Sequence, residues 1–235
     1  MQLSAKHIPN AMRRPAMVLC IMMIATISMA AVAGASEQQQ LVDKARMTME
    51  AFNSDPDMGP AVRSLGEDAK AVFVIPQFMR GAVVFGGAGG SGVLLVRDEK
   101  TGAWSEPAFY TMGNVSFGLQ IGADVSEIVL VVRNQKGLEE FYRSDFKLGA
   151  DASIAAGPVG QGASVKGITG DIIAYARKKG AFAGVSVDGG IIKVSDDSNQ
   201  AYYGKPVRPT DIVVKRSVSN PQSADLRNTV AKIMR

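Results

Sequence analysis

Cysteine and histidine are almost absent: the 235 residues contain one of each, Cys20 and His7. Both lie in a segment with the layout of a secretory signal. Lys6, Arg13 and Arg14 form a basic start, an apolar run follows from Ala16 to Ala30, and small residues offer A-x-A cleavage at Ala31-Val-Ala33 or Ala33-Gly-Ala35. Cleavage near residues 33–36 leaves a chain with neither thiol nor imidazole. Such a chain builds no disulfide, no Cys/His zinc site, no Ser-His-Asp triad and no catalytic thiol. The apolar run is also nearly long enough to act as an uncleaved anchor. A lipoprotein signal fits poorly, because Leu19 precedes Cys20 and the apolar run continues beyond it. The expectation is a signal peptide over 1–35, a folded domain over 36–235 and export to the periplasm or cell envelope.

Net charge is the next scarcity. Removing Lys6, Arg13 and Arg14 from 26 basic residues leaves 23 against 22 acidic ones. The distribution is uneven: residues 36–165 carry 11 basic and 16 acidic side chains, residues 166–216 carry 9 and 5. One basic region on a near-neutral chain points to a local anionic partner and away from nucleic acid.

Glycine is what the chain has in quantity, 25 residues, and it implies many turns and strands. Gly87, Gly89 and Gly92 in "FGGAGGSGVLLVRD" spell a literal G-x-G-x-x-G, and Glu106 lies near the spacing of a ribose-binding carboxylate. A dinucleotide site needs a helix after the glycines, whose N-terminus holds the pyrophosphate. Here "VLLVRDEKTG" reads as a strand and a turn, and Val93 stands where a Walker lysine would be needed. No nucleotide cofactor follows. Ser144 to Lys147 matches S-x-x-K and Lys100-Thr101-Gly102 matches K-T-G, but their order is reversed and S-D-N is missing. Asp196-Asp197-Ser198-Asn199 lacks the spacing of a calcium loop. Asp124, Glu127, Asp151 and Asp171 are acid/base candidates by type, although ion pairing with Lys or Arg explains them as well.

Apolar residues at Leu41, Ala45, Met49 and Phe52 predict a helix, and Met58, Val62 and Leu65 a short second one. From Lys70 the period becomes that of strands. "KAVFVIP" ends at Pro76, "GAVVF" follows, and "GVLLVRD" comes after the glycines. "VSFGLQIGADVSEIVLVVRN" reads as two strands around Gly122-Ala123-Asp124. "GLEEFYRS" suggests helical turns, "FKLGADASIAAGPVG" resumes β, and "DIIAYARKKGAFAGVSV" suggests a hairpin with Lys178-Lys179-Gly180 at its tip. Asn220 and Pro221 open a last helix with Leu226, Val230 and Ile233 inward. The expected fold is one α+β domain, dominated by antiparallel strands, with short helices at its N-terminal and C-terminal ends.

The runs "AFNSDPDM", "AKAVFVIP", "FGGAGGSGVLLVRD", "GAWSEPAFYTMG", "GLQIGADVSEIVLVV", "FKLGADASIAAGPVG", "DIIAYARKKGAFAGVSVDGGII" and "NQAYYGKPVRPTDIV" resemble the SYLF domain from about residue 45 onward. The resemblance implies a lipid-binding domain, phosphoinositide-binding and in some cases actin-binding in SH3-containing eukaryotic members, with no enzymatic activity. In those members an amphipathic helix before the domain assists membrane contact, a place that 37–52 occupies here. An export signal argues against actin and for another anionic phospholipid. Head-group candidates are Arg177, Lys178 and Lys179, then Lys147, Lys166, Lys205 and Arg208. Tyr175 and Phe182 flank the first three, and Trp104 and Phe109 are further membrane-contact candidates, with core packing the competing role. No cofactor or metal is expected. A protein partner in the envelope is the rival reading, and a hydrolase using carboxylate, Lys or Ser chemistry the third.

Overall fold

A computed structural model describes residues 37–82, 86–116, 122–158, 167–178, 181–182 and 187–235. The signal-like segment, Lys166 and Lys179 lie outside the described residues. Helix α1 (37–54) and α2 (Gly59–Ser64) lead into strands β1 (Ala71–Ala82), β2 (Gly86–Val96), β3 (Ala108–Ser116) and β4 (Gly122–Val132). Then come α3 (Gln135–Glu140), β5 (Asp145–Lys147), β6 (Ile154–Ala156), β7 (Ile172–Lys178), β8 (Ala181–Phe182) and β9 (Ile191–Val194). Helices α4 (Asp196–Tyr203), α5 (Pro209–Val213) and α6 (Ala224–Ile233) close the chain, with a 3-10 turn at Pro221–Ser223.

The strands form one sheet in the order β5-β9-β3-β2-β1-β4-β7-β6, with β8 also on β7. Pairing is antiparallel except between β6 and β7. The central strands read as unbroken apolar runs because both sheet faces are covered. Val72, Val74, Val93, Leu95, Val129 and Val131 pack under α1, α2, α4 and α6. Phe73, Ile75, Leu94, Ile128 and Leu130 face the opposite core, closed by α3 and α5. There Phe73, Tyr110, Phe141 and Phe146 meet edge to face, and the Tyr110 hydroxyl donates to the Phe141 carbonyl at 2.6 Å.

Three boundaries differ from the sequence expectation. Strand β1 does not stop at Pro76. It runs through a bulge, and its register slips against β2 between Val74 and Met79 and against β4 between Ile75 and Phe78. The missing proline N–H falls where pairing is interrupted, which is how a proline survives in a central strand. The glycines do not precede β2 but form its first half. A Cβ on Gly90 would lie 2.3 Å from the Gln77 carbonyl oxygen, and one on Gly92 2.5 Å from that of Val74, so only glycine lets β2 follow the bulged strand. Gly122 to Asp124 is no turn but the start of β4, paired with Arg80, Gly81 and Ala82. No helix follows the β2 glycines, and the turn after Asp98 is built by that carboxylate accepting from the Lys100 and Thr101 amides.

The segment 196–199, which lacks the spacing of a calcium loop, is the first turn of α4. Its Asn199 is fully buried: Oδ1 accepts from the Phe109 N–H at 2.9 Å, and Nδ2 donates to the Phe109 carbonyl at 3.2 Å. The amide thus extends β3 beyond the end of β9. Glu106 is buried too. It accepts from Ser223 Oγ at 2.6 Å and Ser219 Oγ at 3.2 Å and lies 3.5 Å from Arg227, fastening the C-terminal region. The chain end lies against the loop before β1, with the Arg235 carbonyl 2.8 Å from where a Gly66 Cβ would sit.

Candidate functional site

Strands β7 and β8 pair antiparallel, with Arg177 opposite Phe182 and Lys178 opposite Ala181; residues 179–180 of the expected tip lie outside the described residues. Arg177 is not a tip cation. Its Nε donates to Glu127 Oε2 at 2.9 Å, its guanidinium lies 5.7 Å from the Phe52 ring centre, and Thr48 Oγ1 donates to the other Glu127 oxygen at 3.2 Å. These contacts tie α1 to β4 and β7 and engage the arginine charge within the fold. Lys178 likewise has a partner within the protein. Trp104, Phe109 and Tyr175 are removed from the membrane-contact set: they are 5%, 0% and 1% exposed and pack beneath the helices. Their bulk fills the core that α1, α4 and α6 close. The Phe182 side chain lies outside what is described. Lys147, Lys205 and Arg208 are exposed.

The Asp124 side chain lies outside what is described, and among the described side chains the other candidate carboxylates form no acid/base pair. Glu127 is engaged by Arg177, and Asp151 accepts from the Lys147 amide at 2.7 Å. Asp171 is buried. Burial alone would raise its carboxyl, but hydrogen bonds from the Asn134 side chain, from Ser153 through hydroxyl and amide, and from Lys136 hold it well below the ordinary range. Among the described residues no three His, Cys, Asp or Glu side chains converge to hold a metal ion. No described helix is long and apolar enough to cross a membrane.

What the sheet does assemble is an uncovered stretch where its strands run beyond the helices. Val125 of β4, Met79 of β1, Gly89 of β2, Gly113 of β3, Ile191 of β9 and Lys147 of β5 are successive cross-strand partners. They form one row across six strands. Met79 is 62% exposed, Ile191 49% and Val125 40%. Ser91, Thr111, Lys193 and Asp145 form the next exposed row on the same face. The glycines leave the floor bare: a Cβ at Gly113 would meet a single atom, the Ala88 oxygen, at 3.9 Å. Three strand steps separate Met79 from Ile191, about 14 Å. At the β4 end, Met47 of α1, 50% exposed, borders a 310 Å³ groove with Lys44, Pro76, Gln77 and Val125. Lys44 reaches over it to Gln77 Oε1 at 3.2 Å. Four of the five large apolar side chains exposed among the described residues therefore meet on or beside one face, rimmed by Lys44, Lys147 and Lys193. Sequence reasoning missed these four. Period-2 alternation marks Met79 and Val125 only as members of strands, and their adjacency needs the register.

The family model described as "Ysc84: Las17-binding protein actin regulator" matches residues 113–233, from β3 to α6. The chain belongs to the Ysc84 (SYLF) family. Similar relatives of this Ysc84-family chain include an SH3 domain-containing protein of Schizosaccharomyces pombe, 33% identical over 65% of this chain and 36% of that protein. Protein YSC84 of Saccharomyces cerevisiae is 30% identical over 74% of this chain and 37% of its own length. The human SH3 domain-containing YSC84-like protein 1 is 28% identical over 59% and 41%. The matches thus span well under half of each relative.

Proposed function

We propose that this Ysc84-family domain binds anionic phospholipid surfaces peripherally and without catalysis, through the face carrying Met79, Val125 and Ile191. The observation that carries the reading is the continuous row of exposed apolar side chains and bare glycines, rimmed by lysines. A flat apolar patch of this kind marks an interaction surface. A bilayer interface suits it, because shallow apolar insertion and lysine–phosphate attraction act together, each nearby cation contributing about 1 kcal/mol. The signal-like segment at 1–35 supports export, which puts the domain beside the lipids of the cell envelope. A second reading has its own support: relatives are named for binding partners, as in LAS seventeen-binding protein 3 of Saccharomyces cerevisiae. A protein partner in the envelope would use the same face.

Vesicle flotation of the protein recovered after export separates the two. Met79→Asp with Ile191→Asp should weaken binding to anionic vesicles at least ten-fold with unchanged circular dichroism, since both side chains are exposed and neither supports the core. Equal flotation of parent and variant would remove this face from membrane binding and leave the protein-partner reading standing.

A further inference from the structure

Resting on the reading of 1–35 as a removable leader and of the exposed row as the contact surface, we propose that the leader covers that row. In the uncleaved chain residues 16–30 lie along it, and their removal opens the surface. Helix α1 starts at the β9 end of the row: Gln38 Nε2 donates to Ser198 Oγ at 3.3 Å, in the first turn of the helix that follows β9. From there α1 crosses the strands beside the row, reaching Gln77 through Lys44 and Glu127 through Thr48. A segment that reverses just before Glu37 therefore runs back along the row, antiparallel to α1 and with α1 as its wall.

The lengths agree. Four strand steps separate Ile191 from Val125, about 19 Å. The fifteen residues from Ala16 to Ala30 contain no Asp, Glu, Lys or Arg, and as a helix they extend about 22 Å. The six residues from Ala31 to Ser36 span at most about 20 Å, and Gly34 among them favours a reversal. The composition suits the floor as well. Met17, Met22, Met23 and Met29 carry unbranched thioether chains that fill irregular gaps. Gly89 and Gly113 leave such a gap between the side chains of Met79 and Ile191. Tethered through so few residues, the segment meets the row at an effective concentration on the order of millimolar, ahead of any dilute partner.

The precursor thus carries its contact surface shielded, and loss of the leader leaves it bare. Cys20, the single thiol of the chain, marks the position of the cover. It stands ten residues before Ala30, about 15 Å along a helix. With Ala30 over Ile191, Cys20 falls beside Met79.

The test uses the full uncleaved chain with Met79→Cys and, separately, with Val214→Cys, an exposed position at the end of α5 over the opposite core. Both are oxidised mildly at low protein concentration, and disulfides are read by non-reducing electrophoresis and peptide mapping. The bond from Cys20 to position 79 should form within one chain about ten-fold faster than the bond to position 214, because docking raises the local thiol concentration. Equal rates would refute the cover. Disulfides between chains in place of those within one would assign the row to a second copy and refute it too. The locked Met79→Cys chain is then compared with the exported form of the same variant on vesicles of phosphatidylcholine and phosphatidylglycerol. The locked chain should float at least about ten-fold less, since its apolar row is no longer free to insert. Equal flotation of two forms that both bind would refute the shielding. An exported form that fails to float while the disulfide still forms would overturn the membrane reading and leave the cover in place.

Discussion

Single side chains substitute for missing backbone partners in this molecule, and Asn199 carries the most. It completes the edge of β3 where β9 has ended, and it is fully buried. Asn199→Ala leaves the Phe109 N–H without a partner in a dry place. An unpaired buried donor costs about 1–3 kcal/mol. Chemical denaturation should show a loss of that size with an unchanged denaturant slope. The neighbouring exposed Asp197, mutated to Ala, should change far less. Nothing in "DDSN" announces this duty. A short polar segment shows no such role until the strand it completes is beside it.

At the level of elements, β2 divides its glycines between two tasks. Gly90 and Gly92 face the bulged β1, while a Cβ on Gly87 would meet nothing within 4 Å. Gly92→Ala should therefore destabilise by about 1–3 kcal/mol, the usual range for overpacking. Gly87→Ala should be neutral or stabilising by up to about 1 kcal/mol, because it only restricts the unfolded chain. Thermal midpoints of the two variants, measured side by side, test the division. The same elements show how far sequence reached. Helix α1 was legible because Ala45, Met49 and Phe52 repeat with its period, and all three are buried. The β7–β8 hairpin was legible from its turn residues. The passage of β1 through Pro76 was not, because a bulge depends on what two neighbouring strands do. The exposed row was invisible for a related reason: Gly113 and Ile191 are paired across the sheet but far apart in the chain, and no local pattern states their register.

Across the whole molecule, sensitivity to acid gathers at Asp171, which joins β6, β7 and the start of α3 through Ser153, Asn134 and Lys136. Its carboxyl is held below the unfolded value of about 3.9. A depressed folded value stabilises above the unfolded one, and that contribution is lost as pH falls through the folded value. Asp171→Asn should therefore be less stable than the parent at pH 7. The gap should narrow steadily as pH falls below about 4, where the carboxyl of the unfolded parent takes up a proton that the folded one still refuses. Urea titrations at pH 7, 5, 4 and 3 check this; a gap independent of pH would mean that shape alone, not charge, makes the residue necessary. The Arg177–Glu127 contact has the opposite lesson. A basic run that looked like a landing site from the sequence instead contributes its first cation to holding α1 on the sheet.

The chain end also sits where it has practical consequences. Arg235 abuts Gly66, five residues ahead of β1, whereas Met79 lies eight residues beyond the first of that strand, about 25 Å along it. A reporter dye or a tether attached at Arg235 would depart beside the residues that precede β1 and leave the glycine-floored surface unshadowed. Immobilised by that end, the molecule would present its broad face outward to whatever is passed over it.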